Sequence, residues 1–345
     1  MRKYGAVGIV VVMTVVAAEG SPWTHQKSGT TVSMRGLSVV SDQVAWASGQ
    51  NGTFLRTTNG GETWTVGTVP EASYDFRDID AFDADTAYVL SAGEPAKIYK
   101  TTDGGESWTE QYSNATAGVF FDSMAFWDAE TGVAFSDPID GSFVIIRTTN
   151  GGRTWEQVPA EKIPPARSGE AGFAASGTCV AAQANASAWI GTGGNAARVL
   201  RSTDRGETWA VSETPMRSGL ASTGIFSIAF RDAQTGIIVG GDYQAPESRE
   251  ANAAITTDGG RTWTLIKDTP PLGFRSAVAY VPNTDPPVLI AVGTSGNDRS
   301  TDGGRSWKNL GSEGFHAVRF APSGRVGWAV GSEGRIAKVS RRADR

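Results

Sequence analysis

Cysteine and histidine are the scarcest chemistry-bearing residues of this chain. Its 345 residues hold one cysteine, Cys179, and two histidines, His25 and His316. A single thiol excludes an internal disulfide framework, and three such side chains cannot form a zinc-type cluster of Cys and His. Charge is also modest: 31 Lys and Arg stand against 36 Asp and Glu, a net of −5. A mildly acidic chain offers no broad basic stripe for nucleic acid. Cofactor signatures are missing as well. No Gly-x-Gly-x-x-Gly joins a strand to a helix, and Gly191-Thr192-Gly193-Gly194 reads as a hairpin turn between strands. There is no Gly-x-Ser-x-Gly elbow and no Walker-type loop. Hydride-transfer chemistry is therefore excluded, and no cofactor or metal is expected.

The amino terminus differs in kind from the rest. Met1-Arg2-Lys3 is positive, Ala6 to Ala18 is apolar except for Gly8 and Thr14, and Val16-Ala17-Ala18 offers small residues for cleavage. This resembles a secretory signal, too short to read as a spanning helix. An uncleaved anchor is the alternative. No cysteine follows the run, so a lipoprotein anchor is excluded. The expectation is a signal peptide over 1–18 and one domain over 19–345. The mature protein would be exported, periplasmic or extracellular (lumenal in a photosynthetic host), with no stable membrane insertion.

What the chain has in abundance is glycine, 43 residues, and a repeat. The pattern Ser/Thr-x-Asp/Asn-x-Gly-x-Ser/Thr-Trp ends at Trp64, Trp108, Trp155, Trp209, Trp263 and Trp307, at intervals of 44, 47, 54, 54 and 44 residues. A unit of that length, rich in glycine and β-formers, fits one propeller blade of four short strands. In the first unit Leu37 to Val40, Val44 to Gly49 and Thr53 to Thr58 read as strands divided by Ser41-Asp42-Gln43 and Gln50-Asn51-Gly52. The motif makes the next turn, and Thr63-Trp64-Thr65-Val66 begins the fourth strand. Five further units follow this order. A seventh begins at Phe315 and ends near Val339 with three strands and no motif. Ser21-Pro22-Trp23-Thr24-His25 resembles the missing piece. Residues of about 22 to 29 should pair with the last three strands, because an open ring would leave a blade edge unpaired. The fold class is all-β, a seven-bladed β-propeller of four-stranded antiparallel blades closed by the N-terminal strand.

Each motif position has a structural task. Glycine tolerates the positive φ of a tight turn, the Asp or Asn oxygen and the hydroxyl bind nearby backbone N–H groups, and Trp fills the space between blades. Six turns set around a ring cannot converge on one ligand, so a binding role for the motif itself is disfavoured.

These residues are those of the Asp-box, or BNR, repeat, which occurs in sialidases, other glycoside hydrolases and sorting receptors. The order around it is more specific. Asp42 to Trp46, Gly49 to Gly52 and Thr57 to Trp64 follow the order of the photosystem II stability/assembly factor-like family of exported seven-bladed propellers. The resemblance runs from about Trp23 to Lys338. It implies a non-catalytic, protein-binding propeller that assists assembly of a partner complex, without implying a photosynthetic host.

The rival reading is a carbohydrate-active propeller. The Phe/Tyr-Arg-Ile-Pro motif of sialidases is absent, and Phe76-Arg77-Asp78-Ile79 only echoes it. Other glycosidases need two carboxylates flanking one bond. Asp122, Asp137 and Glu170 are candidates that nothing in the sequence pairs. One register position stands out instead. Arg35, Arg77, Asp122, Phe226, Arg275 and His316 all start innermost strands, so they project toward one end of the channel. Arg35, Arg77, Arg275 and His316 would form a basic patch suited to carboxylates or acidic peptide segments, and the family's arginine patch points the same way. Pairing with blade acids such as Asp78 or Asp80 is the bland alternative. Two insertions, Pro159 to Gly172 and Tyr243 to Ala253, lengthen the third-to-fourth connection and the fifth unit; such insertions tend to map to a binding face. The expected partner is a protein or peptide held at the channel mouth by a monomer, with no catalytic residue assigned.

Overall fold

A computed structural model describes residues 22–70, 73–183 and 186–340. The expected signal segment, 1–18, lies outside the described residues. Seven antiparallel sheets follow one another around a channel. The innermost strands are Met34–Val39, Asp75–Ala81, Phe121–Phe126, Val180–Ala182, Thr223–Phe230, Ala277–Val281 and Ala317–Phe320. Each leads outward through a meander, so the chain is an all-β, seven-bladed propeller. Six sheets have four strands. The fifth gains two short inner strands, Glu170–Ala171 and Gly193–Gly194.

The repeated motif closes on itself in every blade that carries it. In blade 2 the Thr101 hydroxyl donates to Asp103 Oδ1 at 2.8 Å and accepts the Gly105 N–H at 2.9 Å. Ser107 donates its N–H and its hydroxyl to the two oxygens of Asp103, at 2.9 and 2.5 Å. Those Ser107 bonds, ahead of the one from Thr101, lower the Asp103 pKa to about 2. The carboxylate is therefore fully used by its own turn, as it must be when buried N–H groups need acceptors. Gly104 and Gly105 sit at φ of 75° and 91°, a region closed to most side chains.

The turn fixes the direction of its tryptophan, which packs on the preceding blade. Trp108 meets Trp46 edge-on at 6.5 Å between centroids and Phe54 at 5.3 Å. Trp155 and Trp263 instead meet Phe126 and Phe230 of their own blades edge-on, and those rings lie against Tyr88 and Trp189 of the preceding blades. The buried clusters accordingly straddle pairs of neighbouring blades rather than filling single ones. Each indole buries on the order of 200 Å², worth roughly 5 kcal/mol at about 25 cal/mol per Å².

Blade 7 supplies three strands, and Thr24–Gln26 pairs antiparallel with the last, Ile336–Ser340. Blade 7 lacks the motif, and Trp23 stands in for its tryptophan against blade 6, while the junction with blade 1 carries a fastening of its own. Gln26 Oε1 accepts the Trp64 indole N–H at 3.0 Å and the Trp328 indole N–H at 2.9 Å. The two rings meet edge-on at 6.3 Å. One amide oxygen thus joins the first blade to the last. Replacing Gln26 by Ala strands both indole donors, at about 1–3 kcal/mol each. The urea midpoint should fall with no change in m-value; a midpoint equal to that of the parent would contradict this account of closure.

Candidate functional site at the channel mouth

The register position singled out in the sequence is marked by irregular backbone. Antiparallel pairing slips by one residue at Arg35, Arg77, Asp122 and Phe226, the second residue or nearly so of each innermost strand. A bulge leaves its extra residue outside the ladder and re-aims its side chain. Arg275 and His316 occupy the corresponding approach to blades 6 and 7, just before Ala277–Val281 and Ala317–Phe320.

The six side chains do different things. Arg77 Nε donates to Asp75 Oδ2 at 2.8 Å, so its acid partner is neither Asp78 nor Asp80. Arg35 Nε is buried without a hydrogen-bond partner. Burial, and then the Arg77 charge, lower the Arg35 pKa. His316 is buried, and its Nδ1 lies 3.1 Å from the Met34 carbonyl, which can only accept, so Nδ1 carries the proton. Burial, followed by the Arg35 charge, pushes the His316 pKa down to about 4, leaving a neutral ring at pH 7. Arg275 is 0 % exposed and pairs with Asp298, also 0 % exposed, at 2.6 Å. It further donates to the Phe274 and Leu272 carbonyls at 2.7 and 3.0 Å. All its directions are taken inside blade 6. The charged part of the patch is therefore Arg35 and Arg77, with His316 as neutral packing and Arg275 as an internal brace.

The connection between blades 3 and 4 lies across these residues. The long connection between blades 3 and 4 begins with a short 3-10 helix, Ala160–Lys162, and returns toward the axis at Glu170. Glu170 is held there by a buried pair with Arg198 at 2.5 Å and by the Thr192 hydroxyl at 2.6 Å. Glu170–Ala171 then pairs with Gly193–Gly194, the stretch read as a simple turn. From Gly172 to Gly177 the chain crosses the mouth before starting the innermost strand of blade 4. That strand begins at Val180.

The crossing touches blade after blade. The Gly172 N–H donates to Asp137 in blade 3 at 2.7 Å. The Phe173 ring stacks on Phe226 of blade 5 with centroids 3.7 Å apart and planes at 14°. Arg77 of blade 2 donates to the Ala174 carbonyl and Arg35 of blade 1 to the Ala175 carbonyl, each at 3.3 Å. The Ser176 hydroxyl donates to the Ser276 carbonyl of blade 6 at 2.8 Å, and Arg319 of blade 7 donates to the Gly177 carbonyl at 3.3 Å. Two glycines permit the close approach. A side-chain carbon on Gly172 would overlap Asp122 Oδ2, and one on Gly177, at φ 64°, would overlap Asp78 Oδ1.

Those two carboxyls are enclosed. Burial raises the Asp122 pKa well above the carboxylate range, and Asp137 adds to the rise. Neither Asp122 oxygen has a full hydrogen bond, the Ala174 amide giving only a weak one. The three acids considered for glycosidic chemistry are thus either under the crossing segment, as Asp122 and Asp137 are, or tied to Arg198, as Glu170 is.

Past the segment the channel widens toward the opposite end into a cavity of about 810 Å³ lined by all seven innermost strands. Asp78, Asp80 and Arg319 face it. Burial raises Asp78 to about 7 and Asp80 to about 6, while the Arg319 charge opposes both shifts. Asp78 accepts the Met124 N–H at 2.7 Å, the Ser123 hydroxyl at 2.9 Å and the Ile79 N–H at 2.8 Å. Among the described residues no three His, Cys, Asp or Glu side chains gather as a metal ion would require.

Raised carboxyl pKa values set a direction for stability. The folded chain holds protons on Asp78 and Asp80 that the unfolded chain releases near pH 4, so their stabilisation is complete below pH 4. It is lost as pH rises through the folded values of about 6 and 7. Asp78→Asn removes one of these groups and costs a hydrogen bond. The stability gap between parent and variant should narrow from pH 5 to pH 8 in urea titrations. A gap that stays constant or widens over that range would refute the assignment to Asp78.

Comparison with known proteins follows the geometry. Residues 15–116 match the model of a family described as Photosynthesis system II assembly factor YCF48. No curated protein matches the chain. A structure described as YCF48 bound to D1 peptide superposes with a TM-score of 0.67 at 18 % identity, over 96 % of this chain and 99 % of that one. YCF48 from Cyanidioschyzon merolae gives 0.65 at 19 %, over 92 % and 98 %. A streptogramin B lyase gives 0.67 at 16 %, over 92 % and 96 %. Identities this low establish a shared fold, one that hosts unrelated functions. The family that this chain resembles, by the match of residues 15–116 across its first two blades, is the one described as Photosynthesis system II assembly factor YCF48.

Proposed function

We propose that the protein is a non-catalytic, exported assembly-factor propeller that binds a protein or peptide partner at the channel mouth beside Arg35 and Arg77. The observation that carries the reading is the use these two arginines already make of the mouth: both donate to main-chain carbonyls of the crossing segment. Guanidinium groups at a strand-end bulge can serve a partner's carbonyls or carboxylates in the same way. The neighbour described as bound to a D1 peptide shares the fold and supports a peptide as the class of partner.

A carbohydrate-active reading retains one supporting observation, the side-by-side Asp78 and Asp80 facing the opposite cavity. Turnover of chromogenic glycosides or sialosides, abolished by Asp80→Asn, would favour it over the scaffold.

Arginine substitutions separate binding from folding. Arg35→Ala with Arg77→Ala should leave the urea midpoint within about 1 kcal/mol of the parent, since both groups are partly solvated. Partner capture from the native envelope, read by mass spectrometry, should fall at least tenfold. Arg275→Ala should instead destabilise by about 3–5 kcal/mol, because it leaves Asp298 buried and unpaired. Capture that survives the double substitution would overturn the proposed site.

A further inference from the structure

We propose that the segment from Gly172 to Gly177 is a resident ligand of the channel mouth, and that the external partner is a peptide of the same chemistry that exchanges with it. This rests on the reading of the mouth as a peptide site and specifies both its occupant and its regulation.

Three features separate the segment from an ordinary connection. First, it is held by groups from six blades other than its own, whereas a loop between blades 3 and 4 needs contacts only with those two. Second, the contacts are those of peptide recognition. Three arginines take the main-chain carbonyls of Ala174, Ala175 and Gly177, and one aromatic side chain, Phe173, anchors on Phe226. Main-chain bonds with a single anchored ring describe an interface in which the backbone gives affinity and one pocket gives specificity. Third, the site is not saturated. Arg35 Nε is buried without a partner, and the arginine contacts are long, at 3.3 Å. A peptide carboxylate would fill that fork better than a neutral carbonyl does.

The seat also defines the ligand. Phe226 is flanked edge-on by Phe274 at 4.7 Å and Tyr243 at 6.1 Å, an aromatic cup that receives one flat ring. Behind that ring the Gly193 and Gly224 backbone approaches closely; a side-chain carbon on either would meet Phe173. The neighbouring positions, Gly172, Ala174, Ala175, Ser176 and Gly177, are all small, because Asp122 and Asp78 lie directly beneath the two glycines. The matching external ligand is therefore a small-residue peptide with one aromatic side chain and a carboxylate one or two residues beyond it. It must first displace a segment linked to the same chain, so its apparent affinity is lowered by the fraction of mouths left open.

The test uses a fluorescently labelled synthetic peptide of residues 170–178 and the full chain. Gly172→Val drives a side chain into Asp122 and should lift the segment out; Phe173→Ala removes the anchor with less disturbance. Each variant is first checked for cooperative unfolding, and the measurement is made on whichever folds. The peptide should bind a folded variant at least tenfold more tightly than the parent chain, and adding Arg35→Ala and Arg77→Ala should abolish that gain. Equal binding to parent and folded variant, or no binding to either, would overturn the resident-ligand inference. Arginine-dependent capture of a natural partner, measured separately, would survive that failure, so the two readings fall independently.

Discussion

Everything in this ring depends on the turn, hydroxyl with carboxylate or with asparagine amide, that precedes each motif tryptophan. The turn has no ligand to spare for anything outside itself. Asp103 takes two bonds from Ser107 and one from Thr101, and Thr101 in turn takes the Gly105 N–H. A turn closed in this way fixes the backbone where the fourth strand begins and sets the indole against the preceding blade. The same geometry recurs at Ser202, Asp204 and Thr208 and again at Ser300, Asp302 and Ser306. Seven sheets that each bury little alone thereby acquire a common core in the spaces between them. Where the motif is absent, in blade 7, Trp23 supplies the indole against blade 6, and at the junction of blades 7 and 1 Gln26 adds two indole bonds.

That division of labour explains how much the sequence discloses. Blade number and strand order were legible because they rest on local, periodic signals: a hydroxyl, an acid, two glycines and a tryptophan at fixed spacing. The bulged position at Arg35, Arg77, Asp122 and Phe226 was legible for the same reason, since equivalent positions in a repeat reach equivalent places. The fate of each side chain was not. Arg275 finds Asp298 two strands away in the same blade, and no short-range pattern announces a partner at that separation. His316 was counted as a cation, whereas burial and Arg35 make it neutral. Its charge depends on its surroundings and not on its place in the register.

The crossing segment was the largest omission. Gly172 to Gly177 is composed of small residues around one phenylalanine, with neither the alternation of a strand nor the period of a helix. Its meaning comes from what lies beneath and around it, two buried carboxyls and three arginines drawn from four different blades. A signal did exist: glycines at both ends of a short run beside a double proline mark a chain that must pass close to other atoms. The segment changes the functional picture, because the mouth is a filled site with its arginines engaged. In the proposed reading, function turns on exchange at that mouth.

Occupancy of the mouth is accordingly the central claim, and amide hydrogen exchange on the ligand-free chain reads it directly. Peptides covering 172–178 should exchange far more slowly than an unstructured chain. Their protection should fall in Arg35→Ala/Arg77→Ala while that of the blade strands is unchanged. Exchange over 172–178 at the free-peptide rate in the parent protein would contradict the account.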